Sequence, residues 1–211
     1  MNSTKIKFEA IKVYHIWTHA NGNENLFRAD ENYRYFMNRY LKHVHPVVET
    51  FAYCLMPNHL HLMVRVRGDA VLLEYLREKK KDQTLQGFQT LGGFSNCISR
   101  QFGNLFNGYT QAYNNKFNRK GSLFIPNFRR KLMNSEKYFA RLMVYIYNNP
   151  VYHGFVDSSG DWLYSSYLAY ILNKSTNVEI REGLDLFGGI EAFKDLHLKI
   201  NQEKLHLIFG N

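Results

Sequence analysis

The chain has 211 residues, 45% of them hydrophobic and 16% aromatic, which is enough for one domain with a substantial core. Lys and Arg number 27 against 18 Asp and Glu, a formal net charge of +9 that favours a polyanionic partner, either nucleic acid or an acidic membrane surface. Two cysteines without CxxC spacing, Cys54 and Cys97, argue against a disulfide framework and a four-thiolate zinc site. No apolar run reaches the length of a membrane span, and the opening "MNSTKIKFEAIKVYHIW" lacks a signal-peptide core, so composition predicts a cytoplasmic chain with no membrane partner.

In chain order, Ile11–His19 is rich in β-branched and aromatic residues and reads as a first strand. A helix follows, with Asp30 as N-cap and Tyr33, Phe36, Met37, Tyr40 and Leu41 at helical spacing, stopped by Pro46. "VVETFAYCLM" and "HLHLMVRV" read as two strands joined by "MPNH", an antiparallel hairpin. The second of these alternates cleanly. Leu60, Leu62, Val64 and Val66 face one way and His59, His61, Met63 and Arg65 the other, which puts the two imidazoles on one side about 7 Å apart along the strand. "LLEYLREKKK" predicts a helix, as does Phe94–Asn115, although Gly103 and Gly108 weaken it. "GSLFIPNFRRKLM" reads as turn and strand, and Ser135–Asn149 as a helix capped near Asn134 or Ser135 and ended by Pro150. "DWLYSSYLAYI", a polar "NKSTN" linker and a last helix near Gly189–Ile200 complete the chain. The interleaving predicts an α+β sandwich, with helices packed on one face of a small antiparallel sheet and the histidine face left open.

Two neutral imidazoles at i and i+2 on a strand can share a divalent cation, although an HxH pair in a chain with nine histidines is more often incidental. The position of this pair, on the polar face of a sharply alternating strand just after a Pro-Asn turn, strengthens it. On the Ser135–Asn149 helix, Tyr138, Arg141, Tyr145 and Asn149 form a stripe beside the apolar face of Phe139, Leu142, Met143 and Ile146. A phenol followed by an amide one turn later supplies a nucleophile and an oxygen ligand to one centre; in a chain with 15 tyrosines, amphipathic cover at the core edge explains the stripe equally well.

From Gln83 to Ser135 there is no Asp or Glu, while Arg100, Lys116, Arg119, Lys120, Arg129, Arg130 and Lys131 all fall there. Aromatics are interleaved with them, including Phe88, Phe94, Phe102, Phe106, Tyr109, Tyr113, Phe117, Phe124 and Phe128. Basic side chains neutralise phosphates and exposed aromatics stack on unpaired bases, which points to DNA binding, but most of these aromatics lie at core spacing.

"MPNHLHLMV" resembles the HUH motif of the IS200-like (Y1) tyrosine transposases, and "YIYNNPVYHGFV" resembles the Tyr-Ile-x-x-Asn-Pro-Val block of their REP-associated branch. "KGSLFIPNFRRKLM" and "SSYLAYI" are similar to its connecting and C-terminal blocks, so the likeness runs from about Tyr14 to Ile171. The resemblance implies a ferredoxin-like fold over residues 1–172, with 173–211 as a helical C-terminal extension. It implies cleavage and rejoining of single-stranded DNA near hairpins through a 5′-phosphotyrosine, with Mg²⁺ or Mn²⁺ as cofactor. His59, His61 and Asn149 correspond to the metal ligands and Tyr145 to the nucleophile. Tyr147 stands where the family commonly has His, and Tyr152 where a basic residue usually follows Asn-Pro-Val. The partner implied is single-stranded or hairpin DNA. Both a homodimer, in which one chain's helix completes the other's site, and a monomer occur among such enzymes. The alternatives are a non-catalytic or domesticated DNA- or RNA-hairpin binder and an HUH nickase of replication or conjugation type; the Asn-Pro-Val block and the small size argue against the nickase.

Overall fold

The computed structural model describes residues 6–79 and 91–199. Expectations that fall on 80–90 and 200–211, including Phe88 and the last two lysines of "LLEYLREKKK", lie outside the described residues.

Four strands form one antiparallel sheet: β1 (Val13–His19), β2 (Val48–Leu55), β3 (His59–Val66) and β4 (Arg129–Leu132), in the order β2-β3-β1-β4. Helix α1 (Asp30–His43) connects β1 to β2, and α2 (Asp69–Lys79) and α3 (Leu91–Lys116) lie between β3 and β4. This βαββαβ order with β1 and β3 central is the ferredoxin-like sandwich expected from the sequence. The edge position of β4 follows from its composition, because four residues with three cations suit a strand with one free rim.

The alternation read from β3 decides what lies on each face. Leu60, Leu62, Val64 and Val66 join Tyr14 and Ile16 of β1 in a core covered by Phe36 and Tyr40 of α1 and by Ile98, Phe102, Leu105 and Tyr109 of α3. Gly108 has a packing reason: a Cβ there would overlap the Arg39 guanidinium, which reaches across from α1 to donate to the Asn104 carbonyl.

The opposite face is not open, and here the layering exceeds the expectation. A second core forms on it from Phe51, Ala52, Cys54 and Met63 of the sheet with Phe139, Leu142, Met143, Ile146 and Tyr147 of α4 (Glu136–Tyr152). A bulge in β2 between Thr50 and Ala52 turns both Phe51 and Ala52 to this side. The apolar stripe of α4 needs a partner, and this half of the sheet supplies it. The helix begins at Ser135, whose hydroxyl accepts from the Tyr138 amide, and runs through Pro150 to Tyr152 instead of ending before the proline. A proline in the last turn costs a single intrahelical bond, so the final turn survives.

Three short helices complete this layer: α5 (Tyr167–Leu172), α6 (Ile180–Phe187) and α7 (Ile190–Lys199). Helix α6 was missed in the sequence, although Ile180, Leu184 and Phe187 recur at helical spacing. It is docked by Arg65 of β3, which donates to both carboxylate oxygens of Glu182 at 2.5 and 2.8 Å and to Glu49 at 2.6 Å. Phe193 of α7 is fully buried and stacks on Tyr170 with ring centroids 5.1 Å apart. Among the described residues no helix is long and apolar enough to cross a membrane.

Candidate active site

The turn before β3 is pinned by its backbone. The Met56 amide donates to the His59 carbonyl at 2.8 Å, Ala20 N–H to Asn58 O at 2.7 Å and Leu26 N–H to Pro57 O at 2.6 Å. His59 and His61 leave this turn on the side facing α4, and both are buried, at 3% and 4% exposure. Asn149, one turn before the end of α4, meets them. Its Oδ1 lies 2.8 Å from His59 Nε2, and the residue is 1% exposed. Tyr145, one turn earlier and half-buried, has its ring 5.4 Å from that of His61, and the Asn149 side chain favours its ionised form. The four residues picked out from two separated segments therefore converge, and they do so within one chain.

Three more histidines join them. In the β1–β3 register His19 faces His59 and Trp17 faces His61. His15 Nε2 lies 2.9 Å from His61 Nδ1, the His19 ring stacks on His59 at 4.8 Å, and His153 just beyond α4 meets His59 edge-on at 4.9 Å. Sequence reasoning missed all three. The signal was present: His15, Trp17 and His19 share one parity in the first strand, and the hairpin-plus-β1 pairing puts that parity on the histidine face.

Electrostatics follow from enclosure. Burial pushes the His59 imidazole down to about 4, opposed by its bond to Asn149 and reinforced by His19 and His153. His15 falls to about 3 through burial and the nearby Lys131 cation, and burial carries His61 well below its ordinary value. All three rings are neutral near pH 7, the state in which imidazole ligates metals. Burial raises the Tyr145 phenol, and the hydrogen bond from the Asn149 amide opposes that by favouring the phenolate. Tyr147 is different in kind. It is fully buried in the second core, shares a 2.8 Å hydrogen bond with Ser166 Oγ, and is held well above the ordinary tyrosine range by burial.

The donor set fits a divalent cation. Each of the two strand histidines has Nδ1 against a protein partner, Asn58 Oδ1 for His59 at 2.8 Å and His15 Nε2 for His61 at 2.9 Å, so each ring can keep its Nε2 lone pair for a metal. Neighbouring ligands in an octahedral shell of about 2.1 Å radius stand about 3 Å apart, close to the His59–Asn149 separation of 2.8 Å. Among the described residues no group of three or more His, Cys, Asp or Glu side chains is suited to a metal, so the amide oxygen is needed as a third donor. Imidazole softness favours Mn²⁺ over Mg²⁺ in such a set.

The basic residues separate by position and partner. Arg129 and Lys131 project from β4 on the histidine face, opposite Trp17 and His15, and are exposed. Arg130, between them, points the other way: it is 9% exposed, donates to the Ile6 carbonyl at 2.5 Å and lies 4.5 Å over the Phe8 ring. Arg119 holds its own loop, through Glu24, Asn114 and the carbonyls of Gly121 and Ser122. Arg100 and Lys116 are exposed on α3, across the sheet from the histidines, and Lys116 pairs with Glu31; Lys120 is exposed in the loop beyond. The aromatics of α3 are core residues, as their spacing suggested.

No protein-family profile matches the chain. A solved REP-associated tyrosine transposase, determined bound to a REP hairpin, superposes with a TM-score of 0.60 over 82% of this chain and 86% of that one, at 17% identity. This chain has the fold of a REP-associated tyrosine transposase. A Haemophilus influenzae protein provisionally named a REP-associated tyrosine transposase is 28% identical over 127 residues, 58% of this chain. The match spans 61% of that relative's length. Both findings bear out the likeness to REP-associated transposases read from the HUH and tyrosine blocks.

Proposed function

We propose that the chain is a tyrosine transposase that cleaves and rejoins single-stranded DNA beside hairpins. The observation that carries this is the joining of the two motif segments: Asn149 Oδ1 meets His59 Nε2 at 2.8 Å, with the Tyr145 ring one turn away and 5.4 Å from that of His61. His59, His61 and Asn149 would hold Mg²⁺ or Mn²⁺. Such an ion, when bound, polarises a phosphodiester oxygen and offsets charge developing at phosphorus.

The protein's own groups do the rest. Tyr145 Oη attacks the phosphorus, forming a 5′-phosphotyrosine as the bond to the 3′ oxygen breaks; a 3′-OH leaves, and another can reseal the link. The Asn149 amide favours the phenolate that attacks. The enclosing layer of α4 limits water near the buried imidazoles and strengthens each interaction there. Arg129 and Lys131 flank the site on the same face and would take the DNA backbone, while the exposed Arg100, Lys116 and Lys120 serve a more distant part of a hairpin. Tyr145 and Asn149 approach the histidines of their own chain, which supports a monomer as the cutting unit.

The test is a labelled single-stranded hairpin, drawn from sequence beside the gene, incubated with Mn²⁺ or Mg²⁺. A covalent protein–DNA adduct that requires the metal and disappears in Tyr145→Phe is the expected result. An adduct that persists in Tyr145→Phe rejects the assigned nucleophile. Tight hairpin binding without an adduct, across varied flanking sequences, favours a non-catalytic binder.

A further inference from the structure

The HUH segment contains the partner of one of its histidines and not of the other. His59 Nδ1 is taken by Asn58, the adjacent residue in the turn, whereas His61 Nδ1 is met by His15, 46 residues away on β1. We infer that His15 is a positioning residue: by accepting the Nδ1 proton of His61 it holds that ring in the tautomer whose Nε2 carries the lone pair. This rests on the reading that His59, His61 and Asn149 hold a divalent cation.

The contact between the two rings contains one proton and two nitrogens, Nε2 of His15 and Nδ1 of His61, 2.9 Å apart. If the proton belongs to His61, its Nε2 is a bare lone pair. If it belongs to His15, a neutral His61 must carry its own proton on Nε2 and is closed to a cation. The direction of a single hydrogen bond therefore decides whether His61 can be a ligand. The geometry that fixes His15 is independent of any cation. Its ring is 6% exposed, stacks on Trp17 at 4.6 Å with 24° between planes, and meets Tyr145 edge-on at 6.3 Å. The β1–β3 pairing sets His15 opposite Met63, diagonal to His61, so the strand register alone brings the two nitrogens together. His15 touches both the ring that binds and the ring assigned to attack, and so it couples their orientations.

The experiment uses the full chain without DNA. Imidazole ¹⁵N spectra of the wild type report which nitrogen of His61 is protonated, and Mn²⁺ affinity is read from the free-ion paramagnetic resonance signal. The expected spectrum has His61 protonated at Nδ1. His15→Leu, which cannot accept a hydrogen bond, should weaken Mn²⁺ binding about ten- to a hundredfold, the usual cost of removing a ligand's orienting partner. His15→Gln, whose Oε1 can accept, should recover most of that loss, which a purely space-filling role would not predict. A wild-type spectrum with the proton on His61 Nε2 overturns the inference, and so does undiminished affinity in a folded His15→Leu protein. If His15→Leu does not fold, the wild-type spectrum and His15→Gln still decide. Wild-type Mn²⁺ binding that is absent, or unaffected by His61→Ala, rejects the cation reading itself, a result distinct from the tautomer, which is read without metal.

Discussion

His59 and Asn149 are 90 residues apart in sequence and 2.8 Å apart through Nε2 and Oδ1, a contact that ties strand β3 to helix α4 at the site. Asn149 also favours the phenolate of Tyr145, one turn earlier, so its amide acts on both a strand imidazole and a helix phenol. Asn149→Leu keeps the volume and removes the amide from both neighbours at a position 1% exposed. Leaving buried polar partners unsatisfied costs about 1–3 kcal/mol, and losing a fixed donor to a reacting oxygen costs on the order of a hundredfold in rate. Thermal melts and single-turnover adduct formation should record both losses, and full-rate adduct formation in the variant would remove Asn149 from the chemistry.

Tyr147 offers a control for the nucleophile assignment. Its hydroxyl meets Ser166 Oγ at 2.8 Å inside the second core, away from the histidines. Tyr147→Phe should lower stability by about 1 kcal/mol, the usual net worth of one such bond, and leave adduct formation unchanged. An adduct lost in Tyr147→Phe but retained in Tyr145→Phe would reverse the roles given to the two residues.

These two tyrosines also indicate how far the sequence could be read. Periodicity separates them, since Tyr145 shares a stripe with Asn149 while Tyr147 lies with Leu142, Met143 and Ile146, and the structure follows that division. Strict alternation likewise predicted β3 to the residue. Alternation says which residues share a face, but not what covers it, and so the histidine face was expected to be open although α4 to α7 pack over it. His15 and His19 depend on strand pairing, which no local pattern encodes, and His153 on where α4 ends. Helix α6, by contrast, was within reach of local reading, since Ile180, Leu184 and Phe187 recur at helical spacing.

The basic run of β4 should divide by face. Arg129 and Lys131 are exposed beside the histidines, and Arg130 is built into the opposite core through Ile6, Ser99 and Phe8. Arg129→Gln with Lys131→Gln should weaken hairpin binding and flatten the log–log salt dependence by about 1.4 to 1.8, two phosphate contacts' worth, without moving the melting temperature. Arg130→Ala should do the reverse, costing about 2–4 kcal/mol of stability through a broken buried network while the salt slope of the folded protein stays fixed. Equal salt slopes for the double variant and wild type would exclude the two β4 cations from the DNA interface.

His197 makes the helical layer over α4 sensitive to acid. It is 8% exposed among Tyr147, Tyr167, Phe187 and Phe193, donates Nδ1–H to the Phe193 carbonyl at 2.7 Å, and has no hydrogen-bond partner for Nε2 among the described residues. Burial pushes its pKa down to about 4. The folded state thus favours the neutral ring, while the unfolded chain takes up a proton near pH 6.5. Above that pH the residue adds no pH dependence. As pH falls from about 6.5 towards 4 the unfolded state binds the extra proton and stability declines, by a few kcal/mol at the lower limit. His197→Phe removes the titrating group and fills the same aromatic pocket. Melting temperatures taken from pH 7.5 to 4 should fall less steeply for the variant than for wild type, with the two curves parallel above pH 7. Curves that stay parallel throughout would show that His197 is not where acid acts on this layer.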